Sequence, residues 1–107
     1  TQLCSSAASD VYKRQLLGHV GDGNFHLIIL IEPGNEAELQ AANQLSETIN
    51  LLALELGGTV TGEHGVGLGK KKYMQIEHGE AYQLMGLLKR SIDPQNLMNP
   101  GKLVDLN

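Results

Sequence analysis

HLIILIEPGNEAEL, residues 26–39, changes its hydrophobic pattern at its centre. Residues 27–31 are an unbroken run of Leu and Ile, too short for a helix, with a glycine-rich stretch before it and the Pro33-Gly34 breaker after it. That combination reads as a buried strand. Asn35 then offers a side-chain oxygen to the unpaired N–H groups of a helix start, and Glu38, three residues on, is its capping-box partner. Ala42, Leu45, Ile49, Leu52 and Leu56 recur at steps of three and four until Gly57-Gly58 supplies a left-handed stop. This single apolar stripe is expected to face a sheet carrying Ile28 and Leu30, which share one strand face. On that expectation Ile49→Ala costs about 2–5 kcal/mol.

Working towards the C-terminus, TVTGEHGVGLGKKK (59–72) begins as a β-branched run and breaks into four glycines between 62 and 69, the pattern of a strand entering a loop. A second amphipathic helix is expected over about 79–91, with Ala81, Leu84 and Leu88 on one face, ending before Asp93-Pro94. The tail LMNPGKLVDLN reads as a turn and a short extended end. In the other direction, residues 1–15 share neither the periodicity nor the glycine usage of residues 16–107. They resemble a non-native leader and are set apart from the fold. Strand, helix, strand, helix over residues 16–107 predicts an α+β class: a ferredoxin-like fragment, with an antiparallel sheet and helices packed on one face.

Length and composition bound the function. A chain of 107 residues makes one small domain at most, with a modest core. Twelve acidic residues against 8 basic ones, with no basic stripe, argue against a nucleic-acid partner. One cysteine, Cys4, can complete neither an internal disulfide nor a thiolate metal site, which fits a reducing compartment. The longest apolar run, 27–31, is far short of the roughly 20 residues of a transmembrane segment. A cytoplasmic location is therefore expected, or one peripheral to the inner membrane.

Two glycine-flanked loops hold the chemistry. In GHVGDGNFH (18–26), His19 and His26 would share a helix face, but the GDGN between them makes a helix implausible. In a continuous strand the odd spacing would point the rings to opposite faces, so the segment must loop or bulge if they act together. The bland alternative is a turn in which Asp22 and Asn24 bond local backbone. The second loop, Gly62-Glu63-His64-Gly65, adds a carboxylate and another imidazole. Its bland alternative is a solvated loop. Two imidazoles and one carboxylate form a common ligand set for catalytic zinc, which His19, His26 and Glu63 could supply. His64 would then stand beside the metal, able to take or give a proton near neutral pH. His78 lacks such a context and is expected on the surface. A phosphate-binding P-loop would need Gly in place of His64 and Ser or Thr in place of Lys71, and a dinucleotide fingerprint would need Gly in place of Lys70.

GHVGDGNFH, GTVTGEHGVGLGKK and DPQNLMNPGK, in that order, resemble the C-terminal substrate-side region of the FAD-linked 2-hydroxy-acid dehydrogenases and oxidases of the vanillyl-alcohol oxidase superfamily. Within that family the likeness is greatest to the cytochrome-type D-lactate dehydrogenases, with glycolate oxidase and D-2-hydroxyglutarate dehydrogenase as relatives. It covers about residues 18–104 and implies that 16–107 is the C-terminal part of a substrate (cap) domain, with the FAD-binding domain N-terminal to it and outside this chain. It also implies a divalent metal, zinc by preference, on His19, His26 and Glu63, with His64 as acid/base and Asn99 near the flavin. The implied partners are a small 2-hydroxy acid and an electron acceptor: a cytochrome, a quinone or an electron-transfer flavoprotein. Ile28 departs from the asparagine of the hydroxyglutarate branch, which points to a smaller substrate, and the fragment alone is expected to be inactive. The competing reading is a non-enzymatic metal-binding or protein-interaction module. A structural zinc site is usually closed by a fourth ligand, often a thiolate, and the sole cysteine lies in the leader, so the catalytic reading is preferred.

Overall fold

The computed structural model describes residues 14–106. It is an α+β arrangement: strands β1 (Arg14–Leu17) and β2 (His26–Ile29), then helices α1 (Glu36–Glu55), α2 (Met74–His78) and α3 (Ala81–Ile92). Single 3-10 turns lie at Val20–Asp22 and Lys71–Tyr73. The backbone divides into two compact units, one ending at Ile49 and the other starting at Asn50.

In the first unit β1 and β2 pair antiparallel, with Leu17 opposite His26 and Arg14 opposite Ile29. The strand expected at 27–31 is present but ends at Ile29, opposite Arg14, the first of the described residues. It is also less buried than its composition suggests: β1 is exposed throughout and Ile28 is exposed in β2. Among the described residues the sheet has two strands, a minimal sheet that gains burial only where another element covers one of its faces. β1 begins at Arg14, inside the stretch set apart as a leader; residues 1–13, with Cys4, lie outside the described residues.

Helix α1 starts as its sequence dictates. Glu38 N donates to Asn35 Oδ1 at 3.1 Å, and Leu39 N donates to the Asn35 carbonyl at 3.1 Å. The return arm of the capping box reaches further back: Glu38 Oε2 accepts from Glu32 N at 2.9 Å, and Asn35 N donates to Glu32 O at 3.0 Å. The cap thereby clasps the Pro33-Gly34 turn as well as the helix. Asn35→Ala is expected to lower stability by about 1 kcal/mol, read from the thermal midpoint by circular dichroism; an unmoved midpoint would show the cap to be idle. At the other end Gly57 N donates to Leu54 O at 3.0 Å and Gly58 N to Ala53 O at 2.8 Å, a paired closure that requires the positive φ of Gly57, 76°.

The packing expected of α1 is corrected. Leu45 and Ile49 are half-buried, Leu52 and Leu56 are exposed, and no residue of the helix is fully buried. Ile28 and Leu30 are exposed too. Among the described residues the sheet offers two strands of four residues, too little surface to cover a helix of 20. The buried apolar residues are instead Val60, Val66, Tyr73, Met74 and Val104, all in the second unit and drawn from loops, short helical turns and the tail. The run 59–61 forms no strand there, while α3 falls within two residues of its expected bounds.

Candidate active-site loops

The connection between β1 and β2 is a loop, as the glycines require. His19 O accepts from Asp22 N at 2.9 Å and from Asn24 N at 3.2 Å, and Gly23 N closes the 3-10 turn onto Val20 O at 3.1 Å with φ 70°. Gly18 makes the neck possible: a Cβ there would sit 2.4 Å from Asn24 O and 2.6 Å from Phe25 Cα. No other residue tolerates that approach. His19 follows this contact on one arm and His26 follows it on the other, opening β2. The two imidazoles thus belong to the two arms of one neck, His26 half-buried and His19 exposed.

The second loop is a tight turn. Gly62 and Gly65 form an antiparallel bridge, and Gly65 N donates to Gly62 O at 2.9 Å. Glu63 and His64 occupy the centre, and Gly65 adopts the left-handed backbone needed to leave it, φ 75°. His64 Nε2 lies 3.5 Å from Glu63 Oε1, with the His64 side chain 81% and the Glu63 side chain 45% accessible. Buried Val60 and Val66 pin the chain on either side. The apolar anchors therefore hold the backbone while the carboxylate and imidazole project outward. The two loops belong to different compact units.

Asn99 stands exposed in the turn that Lys102 N closes onto Asn99 O at 3.2 Å, with Pro100 and a positive-φ Gly101 at its corner. Asn99 itself has φ 47°. The sequence marked Asp93 as a helix terminator and as the first residue of the DPQNLMNPGK motif, yet it is also the hub of this region. It is buried, and its carboxylate receives Lys89 Nζ, Leu97 N at 2.9 Å and Met98 N at 2.8 Å. Lys89 Nζ also donates to Met98 O. A carboxylate at a helix C-terminus opposes the dipole unless donors compensate it, a signal that could have marked Asp93 in advance. His78, expected on the surface, is half-buried, its Nε2 3.8 Å from Glu77 Oε1.

The Lys89 ammonium and the two backbone N–H groups hold the Asp93 carboxyl at about 2, well below the usual range. Lys71 Nζ, 2.6 Å away, with the Tyr82 hydroxyl, lowers Asp105 as well. Both groups bind their proton less readily when folded than when unfolded. Their contribution to stability is therefore complete above about pH 4 and lost as the pH falls through the folded values, for Asp93 towards about 2. Thermal midpoints from pH 5 down to pH 2 should decline steadily, and less steeply in Asp93→Asn. A midpoint independent of pH over that range would refute the network's role.

Comparison with known proteins bears on this geometry. The sequence profile described as "FAD linked oxidases, C-terminal domain" matches residues 5–103. The chain is 48% identical over 92 residues to a probable mitochondrial D-lactate dehydrogenase of Danio rerio, covering 85% of this chain and 18% of that protein. It is 47% identical over 90 residues to the mitochondrial D-lactate dehydrogenase [cytochrome] of Arabidopsis thaliana, 83% of this chain and 16% of that one. Against glycolate oxidase subunit GlcD of Bacillus subtilis it is 42% identical over 87 residues, 80% of this chain and 18% of the relative. The chain thus spans less than a fifth of the length of these relatives.

Proposed function

Because the chain belongs to the family of FAD linked oxidases, C-terminal domain, we propose that it is the substrate-side segment of a flavin-dependent dehydrogenase converting a D-2-hydroxy acid, of D-lactate or glycolate size, to the 2-oxo acid. The observation that carries this reading is the turn at 62–65, where an exposed imidazole and carboxylate stand 3.5 Å apart on a backbone pinned by buried valines. Relatives named for D-lactate and glycolate support the substrate class.

His19, His26 and Glu63 would hold a divalent ion. Two imidazole nitrogens and a carboxylate oxygen on glycine-bounded loops are the donor chemistry of zinc with a position left open. Asn99, exposed in its turn, would meet the flavin. When bound, the ion supplies positive charge for the oxygens of the hydroxy acid, and FAD supplies the hydride acceptor. This chain's own part is the proton: the His64 imidazole takes it from the C2 hydroxyl, and the charge gained there faces the Glu63 carboxylate. The electrons leave to a cytochrome, a quinone or an electron-transfer flavoprotein; the Arabidopsis relative is named D-lactate dehydrogenase [cytochrome]. Among the described residues no helix is long and apolar enough to cross a membrane.

The test is to exchange residues 14–106 for the matching segment of the full-length Danio rerio relative and to follow dye-linked oxidation of D-lactate, glycolate and D-2-hydroxyglutarate. Flavin-dependent turnover of the two smaller acids, abolished by a chelator and restored by zinc, is expected. A folded, flavin-loaded hybrid that oxidises none of them would refute the proposal.

A further inference from the structure

Glu77 is a nearly buried carboxylate with no part in the chemistry above, its side chain only 11% accessible. It lies on α2 and reaches the segment just ahead of the Glu63–His64 turn. Glu77 Oε1 accepts the Thr59 hydroxyl and Oε2 accepts Val60 N at 3.2 Å. From the other side Lys70 Nζ donates to Val60 O at 2.7 Å, and Thr61 N donates to Thr59 Oγ1 at 3.0 Å. Both backbone polar groups of Val60, a residue 3% exposed, are thus satisfied by side chains.

This arrangement explains how the β-branched run 59–61 is held in place without being a strand. Buried backbone N–H and C=O groups must find partners, and where no neighbouring strand exists a carboxylate and an ammonium can take its place. Two residues beyond Val60 the chain enters the turn, and Lys70 Nζ lies 3.8 Å from where a Gly62 Cβ would be. The direction in which the turn leaves the core is therefore set by the clamp on residues 59–60.

We infer that Glu77 is a positioning residue for the Glu63–His64 turn, acting through Thr59 and Val60. What the turn does rests on the function proposed above; where it is held does not. The isolated 107-residue chain supplies the test, by amide hydrogen exchange and 15N relaxation. In Glu77→Ala, protection of the Val60 and Thr61 amides is expected to fall roughly tenfold or more, the loss expected for a hydrogen bond to a charged group. Order at 62–65 should fall with it, while α3 amides such as Leu88 and Lys89 keep their protection. Glu77→Gln should restore both, since an amide can accept from Val60 N and donate to Thr59 Oγ1. Should Glu77→Ala fail to fold, Thr59→Val removes one arm of the clamp, and the acceptor of Thr61 N, at nearly constant volume and should loosen 61–65 while α3 keeps its protection. An undisturbed turn in Glu77→Ala, an equal loss across α3, or a Gln variant as damaging as Ala would overturn the inference. Neither metal nor substrate enters these readouts, so failure of the catalytic reading would leave them unchanged.

Discussion

Exchanging His64 for alanine, in the Danio rerio relative carrying residues 14–106 of this chain, is expected to lower turnover by roughly 100-fold or more without loss of bound metal. A neutral imidazole carries one acceptor and one donor nitrogen, so it can accept a hydroxyl proton and release it within one cycle. Its exposed position, with the ring against the Glu63 carboxylate and the backbone pinned by Val60 and Val66, leaves the loop geometry independent of the side chain. The alanine variant should therefore keep its fold and its substrate affinity, and the loss should fall on kcat. Turnover close to that of the unsubstituted hybrid would remove His64 from the mechanism, and a loss confined to KM would make it a binding group.

The largest effect on stability is expected at Met74. It is 2% exposed, at the start of α2, among the few apolar residues the second unit buries. Met74→Ala should cost about 2–5 kcal/mol, from lost transfer energy and the cavity left behind. In a domain of this size each kcal/mol moves the melting point by about 4–8 °C, so the shift should be unmistakable. Ile49→Ala, at a half-buried position, should cost clearly less. A chain melting with Met74→Ala at its original midpoint, or with Ile49 as the costlier site, would contradict this placement of the core.

That contrast shows what could be read from the sequence and what could not. Helices α1 and α3, the Asn35 cap and the glycine closure after Leu56 follow from local chemistry, because their hydrogen bonds span only a few residues. The looped character of 18–25 and the turn at 62–65 were legible for the same reason: glycine spacing excludes the alternatives. Burial was not legible. A helical stripe announces an apolar face but not what covers it, and Leu52 and Leu56 are exposed. The buried set, Val60, Val66, Tyr73, Met74 and Val104, has no period, since it is assembled from turns and a tail whose contacts are distant in sequence. β1 was missed because Arg14 and Gln15 carry no strand pattern of their own and gain one only by pairing with Ile28 and Ile29. Glu77 was missed because its partners, the Thr59 hydroxyl and Val60 N, lie 18 and 17 residues away, and the backbone N–H groups that complete the Asp93 network are not displayed by any sequence.

Metal content tests most directly whether His19, His26 and Glu63 are the ligands and His64 the base. Zinc should be counted by elemental analysis on the purified hybrid and on His19→Ala, His26→Ala, Glu63→Gln and His64→Ala. One ion per flavin in the unsubstituted protein and in His64→Ala, with substantial loss in the other three, is the result expected. Loss of the ion in His64→Ala together with its retention in His26→Ala would contradict the division between ligands and base.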